Sequence, residues 1–389
     1  MPFDLNNITP RYFLDKASEE TGLSDYGDMH FLTPFEQLVN SLRKEANLTD
    51  KGWEDMVPRL VRLLANRLRF HDDVKRHPDI FMQTLLPALI MVGLPRTGST
   101  KLQRMVASSG AFQELLMWHV YNPAPFPEVP ETSVDPRIAD AEHFCQWRAI
   151  TNPGTSAAHH IAAQQVEEET YLLELTFLSI FPNAWANVPS YDNFIKPLDK
   201  GPMYRYLREL LQYLQWQLYQ GVEKPWLLKA PHNLGFERHI LNEIPGSKFV
   251  VSHRDPRICI ASTAAIVKQS RLLYSNTIDK FAIGKWVLNT FSEEMERHMH
   301  WRKSSPEVDV LDLAYDDIEA NGLDVARRVH DFIQVPLSEG AEKSISDWLQ
   351  DNVQHMHGKH EYSLEEYGLS ESEIEEKFST YMKAYSSFI

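Results

Sequence analysis

The sequence predicts an α/β fold: a central parallel β-sheet flanked by helices, with an N-terminal helical region and a large insertion of helices and loops. Three observations predict it. Short apolar runs at 88–92, 226–228, 249–251 and 308–313 are each followed by polar or helical sequence, the pattern of βαβ units joined into a parallel sheet. The first run turns through glycines directly into a helix-compatible stretch. A long segment after it is dense in aromatics and proline, as an insertion between strands would be.

Residues 1–84 read as a helical cap. Thr33-Pro34-Phe35-Glu36 carries a Thr suited to a helix N-cap, a Pro for the first turn and an acid, and Leu38, Val39 and Leu42 follow at helical spacing. Leu60, Leu63, Leu64 and Leu68 repeat that spacing. Asp79 precedes the run into the first strand. Ala88-Leu89-Ile90-Met91-Val92 is continuously apolar, as a strand buried on both faces requires. The core spans 85–335 and holds the insertion 118–222, with Pro123, Pro125, Pro127 and Pro130 near its start. The tail 336–389 is polar and ends in an amphipathic helix with Phe378, Tyr381 and Tyr385. All 389 residues are expected to form a single domain.

Composition narrows the function. The chain is 43% hydrophobic, 24% charged and 11% aromatic, ordinary for a globular enzyme, and its net charge is −15. Nucleic-acid binders show a basic excess, so polyanion binding is not expected. An anionic ligand would need a local pocket of Arg, Lys and backbone N–H groups. Cys145 and Cys259 offer neither a disulfide framework nor a zinc spacing. The opening Met1-Pro2-Phe3-Asp4 has no basic and apolar leader, and the run 85–94 is too short for a bilayer, which needs about 20 residues. A reducing cytoplasm is the expected compartment, and the sequence leaves room for a homo-oligomer.

The sharpest motif is Gly93-Leu94-Pro95-Arg96-Thr97-Gly98-Ser99-Thr100-Lys101 after the first strand. A strand turning through glycines into a helix aims several backbone N–H groups, and the positive end of the helix dipole, at one point. Arg96 adds a planar cation, Ser99 and Thr100 add hydroxyls, and Thr97, Gly98 and Lys101 complete the expected anion-binding set. A nucleoside-triphosphatase or kinase loop reads G-x-x-x-x-G-K-[ST]. Here Ser99 stands where that lysine belongs, and Lys101 comes two positions later. The cation has moved upstream to Arg96. A second strand-to-helix junction, Phe249 to Arg257, places Arg254 at a strand end and Ser262 about two turns into the next helix.

Together these motifs resemble the sulfotransferases that use 3'-phosphoadenosine-5'-phosphosulfate (PAPS), and the resemblance covers most of the chain. It implies a P-loop-type fold. It also implies that Pro95 to Thr100 bind the 5'-phosphosulfate and that Arg254 and Ser262 hold the 3'-phosphate. Tyr315-Asp316-Asp317 resembles a stretch whose tyrosine lies near the adenine. Leu228-Lys229-Ala230-Pro231, His253-Arg254-Asp255-Pro256 and the tail Gly358 to Ser363 are similar to a bacterial-type subgroup. In the animal enzymes of the family a basic-glycine loop near the C-terminus also touches the 3'-phosphate, and the resemblance implies Lys359 as its counterpart.

The implied reaction is in-line sulfuryl transfer, with charge developing on the leaving 5'-phosphate oxygen. Arg96, the loop amides and Lys229 would meet that charge. The resemblance implies PAPS as co-substrate; the transferred group carries one negative charge, so no metal is demanded, and His159-His160 alone does not make a metal site. The acceptor is a small molecule bearing a hydroxyl or amine, and its proton needs a base. Three candidates stand open: His119, where subgroup relatives carry a glutamate; His232, one position before their histidine, where this chain has Asn233; and the run Glu167, Glu168 and Glu169, of which Glu168 is the representative. A charge run is usually a solvated helix face. The aromatics Trp118, Tyr121, Phe126, Phe144, Trp147, Phe177, Phe181, Trp185 and Tyr191 would line a pocket for an apolar or ring-bearing acceptor. The rival functions are a P-loop nucleotide kinase or triphosphatase and a catalytically silent nucleotide-binding homologue.

Overall fold

The computed structural model describes residues 4, 5, 7–127, 134–352 and 363–389; Pro130 and Lys359 lie outside them. The chain divides into two compact units, one of residues 1–84, 116–220 and 267–278 and one of 85–115, 221–266 and 279–389.

The first unit is helical. Thr9 caps the helix Pro10–Thr21 by accepting the Tyr12 N–H, and Gly22, at φ 70°, closes it in the left-handed conformation that glycine adopts without strain. The helix Asp50–Arg76 turns Leu60, Leu63, Leu64 and Leu68 inward, all fully buried. They join Phe13, Phe35, Leu38, Phe177 and Tyr191 in one core. Thr33 does not cap its helix. A 3-10 turn over Met29–Phe31, capped by Asp28, runs directly into the helix Leu32–Glu45, so Thr33 and Pro34 fall inside its first turn.

The second unit carries a five-stranded, all-parallel sheet. Its strands are β1 (Leu89–Val92), β2 (Gln113–Glu114), β3 (Trp226–Lys229), β4 (Lys248–His253) and β5 (Val310–Ala314), in the order β2-β3-β1-β4-β5. β1 pairs Ile90 with Leu228 of β3 and Met91 with Val250 of β4. Every residue of β1 and β3 is buried, as the unbroken apolar runs required. The expected strand at 308–313 begins two residues late because the Val308 N–H closes a turn onto the Ser305 carbonyl. β2 was not anticipated; two residues give no periodicity to read. With β1 central and its neighbours β3 and β4 reached by separate crossovers, the C-terminal ends of these strands form the crevice where such sheets place ligands.

Candidate active site

Both anion motifs lie in the second unit, and they touch. After β1 the backbone leaves the extended region at Gly93, where a Cβ would fall 2.6 Å from the Ser252 carbonyl oxygen of β4. Only glycine allows that approach. Arg96 takes φ 73° and Gly98 φ 79°. A left-handed arginine is a costly conformation held by its surroundings. Those surroundings are specific. Thr97, fully buried, donates to the Leu94 carbonyl at 2.8 Å and shares a 2.6 Å hydrogen bond with the Ser252 hydroxyl. The Arg254 Nη1 donates to the Arg96 carbonyl at 2.9 Å, and the Arg96 Nε donates to the Ser262 hydroxyl at 3.2 Å.

The helix Ser99–Ala107 begins at Gly98 with no side chain capping it, so its first N–H groups face the loop's concavity as an anion site requires. Lys229, at the end of β3 and 1% exposed, donates to the Thr100 hydroxyl at 3.2 Å. Tyr315 begins the helix that follows β5; its ring packs under the Arg254 guanidinium at 3.8 Å, and a Cβ at Gly98 would meet it at 3.1 Å. Arg96, Thr97, Gly98, Thr100, Lys229, Arg254, Ser262 and Tyr315 are thereby one contiguous constellation. Lys101 is turned from it into an ion pair with Glu319 at 2.8 Å. Lys359 falls outside the described residues.

The proposed bases fare differently. His119 belongs to the first unit, is 3% exposed and accepts the Leu116 N–H on Nδ1 at 3.1 Å, capping the short helix Met117–Tyr121. That bond fixes the proton on Nε2 and consumes the lone pair a base would use. His232 lies half-buried in the 3-10 turn Pro231–Asn233 that follows β3. The glutamate run is not a solvated helix face. Glu167 is 2% exposed and Glu169 fully buried, in the turn before the helix Thr170–Glu174. Glu167 accepts the His159 imidazole on both oxygens at 3.1 Å, and Glu168 accepts the Thr170 hydroxyl at 3.2 Å. His159, Glu167 and Glu168 bring ligand-type atoms within 4.8 Å of one another, a grouping the sequence concealed because the histidine and the acids are separated in the chain. Glu114 on β2 was also missed. Burial raises its carboxyl to about 7, with the Lys224 charge opposing.

Within the first unit, Arg59, Arg62, Tyr121, Phe126, Phe144 and Trp147 help line a cavity of about 410 Å³. Tyr121 stacks on Phe144 with ring centroids 4.5 Å apart, Phe144 stacks on Trp147 at 6.0 Å, and the Arg62 guanidinium covers the Tyr121 ring at 3.9 Å. Phe177, Trp185 and Tyr191 pack the core, Phe181 lies against it, and Trp118 forms a smaller cluster with Ala141 and Ala163.

The all-parallel sheet, the glycine loop after its central strand and the uncapped helix behind it define the class: a P-loop-type α/β protein. A profile of the sulfotransferase family matches residues 87–339, and the chain belongs to that family. Among solved structures it is similar to the sulfotransferase STF1 from Mycobacterium tuberculosis H37Rv, with a TM-score of 0.81 and 26% identity over 95% of this chain and 98% of that one. It shares its fold with the sulfotransferase STF9 from Mycobacterium avium, with a TM-score of 0.86 and 22% identity over 99% and 98% of the two chains. No curated protein matches the chain. No helix among the described residues is long and apolar enough to cross a membrane.

Proposed function

We propose that the protein transfers the sulfuryl group of PAPS to a hydroxyl or amine of a small, ring-bearing acceptor. One observation carries the donor assignment: Arg254 and Ser262, the pair expected to hold the 3'-phosphate, both meet Arg96 of the 5'-phosphosulfate loop, at 2.9 and 3.2 Å. A nucleotide charged at both ends fits two anion-binding motifs that adjoin. The kinase reading is disfavoured by Ser99, which stands where the terminal-phosphate lysine would be.

In the proposed reaction the loop N–H groups, Arg96 and Lys229 stabilise charge as it grows on the leaving 5'-phosphate oxygen. Lys229 is already bonded to the loop hydroxyl of Thr100, so its ammonium needs little reorganisation. With the His119 lone pair spent on a backbone cap, His232 is the favoured proton acceptor, three residues beyond Lys229 and on the same unit as the donor loop. Glu168 is the alternative. The stacked aromatic cavity of the first unit supports a planar acceptor, since ring faces reward stacking and the charged rim supplies hydrogen bonds.

Calorimetry with 3'-phosphoadenosine 5'-phosphate (PAP) against ATP tests the donor. Tight binding of PAP and weak binding of ATP is the expected result; the reverse order overturns the assignment. Turnover of labelled PAPS with a panel of alcohols, phenols and amines then separates an enzyme from a silent homologue.

A further inference from the structure

The C-terminal helix Glu371–Ala384 packs against the segment that carries Arg254. His253, the last residue of β4, is fully buried, and its Nε2 donates to Asp312 at 2.9 Å. Asp312 is held by two further bonds from Arg302, at 2.9 and 3.0 Å. Those hydrogen bonds outweigh its burial and hold the carboxyl at about 2, so it stays ionised and Nε2 must carry the proton. The other nitrogen, Nδ1, is then an acceptor, and the Tyr381 hydroxyl donates to it at 3.1 Å. The Tyr385 ring stacks on His253 with centroids 4.2 Å apart and planes within 19°.

We propose that Tyr381 and His253 are positioning residues for the donor: Tyr381 holds the ring of His253 and so fixes the end of β4 from which Arg254 follows directly, so that its guanidinium is aimed at the 3'-phosphate. The proposal rests on the PAPS reading above. The need for such a device follows from the chain. Arg254 sits between the end of β4 and the helix Pro256–Leu272, where neither the sheet ladder nor the helix repeat holds its backbone. A second tie comes from the same C-terminal helix. Arg257 chelates Asp255, at 2.6 to 3.0 Å, and reaches Glu375 at 3.0 Å. That pair is too exposed to add much stability, but it ties the residues just after Arg254 to the same helix.

The experiment compares wild type with Tyr381→Phe, which keeps the ring and removes only the hydroxyl. Binding of PAP and of AMP, which lacks the 3'-phosphate, is measured by calorimetry, together with the melting temperature and the PAPS KM and kcat. PAP affinity should fall about five- to tenfold, the size of one lost buried hydrogen bond, while AMP affinity and kcat hold and KM rises. A helix that merely packs would lose melting temperature without this selectivity. Should Tyr381→Phe fail to fold, Arg257→Ala is read the same way, with a smaller selective loss expected. Unchanged PAP affinity, or equal losses for PAP and AMP, overturns the proposal. A wild type that binds PAP no better than AMP removes the donor assignment itself, and that is seen before any variant is made.

Discussion

At the scale of the residue, Arg254 joins three contacts: the Arg96 carbonyl, the face of Tyr315 and, as proposed, a phosphate. Replacing it with alanine should weaken PAP binding by about 2–4 kcal/mol, because a charge-assisted hydrogen bond to a phosphate is lost. Calorimetry reads this directly, and wild-type affinity would take Arg254 out of the site. Glu114 makes a different prediction. Its folded carboxyl titrates near 7, raised by burial from an ordinary value of 4.5, so the folded state binds more protons than the unfolded one between these values. Stability from this group therefore falls as pH rises from about 4.5 to about 7. Glu114→Gln, which stays neutral, should melt higher than wild type at pH 8, with the gap closing by pH 4.5. A gap that does not change with pH would show that the carboxyl is not displaced.

At the scale of the element, the loop between β1 and the helix Ser99–Ala107 is held by its own Thr97–Leu94 bond together with contacts to Ser252 of β4, Arg254 and Ser262. Thr97 carries the most of this. Thr97→Val is nearly isosteric, yet it breaks the bonds to the Leu94 carbonyl and the Ser252 hydroxyl inside a fully buried site. The cost should be about 1–3 kcal/mol in denaturant unfolding, the usual range when a buried polar group loses its partner. PAP affinity should fall with it, since the loop's backbone N–H groups lose their aim. Undiminished stability would mean that the loop's shape is set elsewhere.

At the scale of the whole molecule, a net charge of −15 surrounds the site proposed to take a multiply charged anion. Attraction must therefore be local, from a few cations and N–H groups in a low-dielectric crevice. The chain places them at the C-terminal ends of adjacent parallel strands, where the fold gathers residues distant in sequence.

How much of this could be read beforehand follows from the range of the forces involved. Strands β1, β3 and β4 were visible because burial on both faces demands continuous apolar runs. The glycine loop was visible because only glycine fits its turns. Their pairing with Arg254 and Ser262 came from the motifs' resemblance to a family. Hidden were the features made by contacts across long stretches of chain. Lys101 looked like an anion ligand until Glu319 was seen beside it. The acidic run 167–169 looked solvated until the fold buried two of its members and set His159 against one. His119 looked like a base until its ring proved to cap a helix. Local sequence determined where the anion loop forms, because backbone conformation is decided within a few residues. Tertiary structure alone decided which cations reach it, because a side chain's partner is chosen by whatever the fold brings within hydrogen-bonding distance.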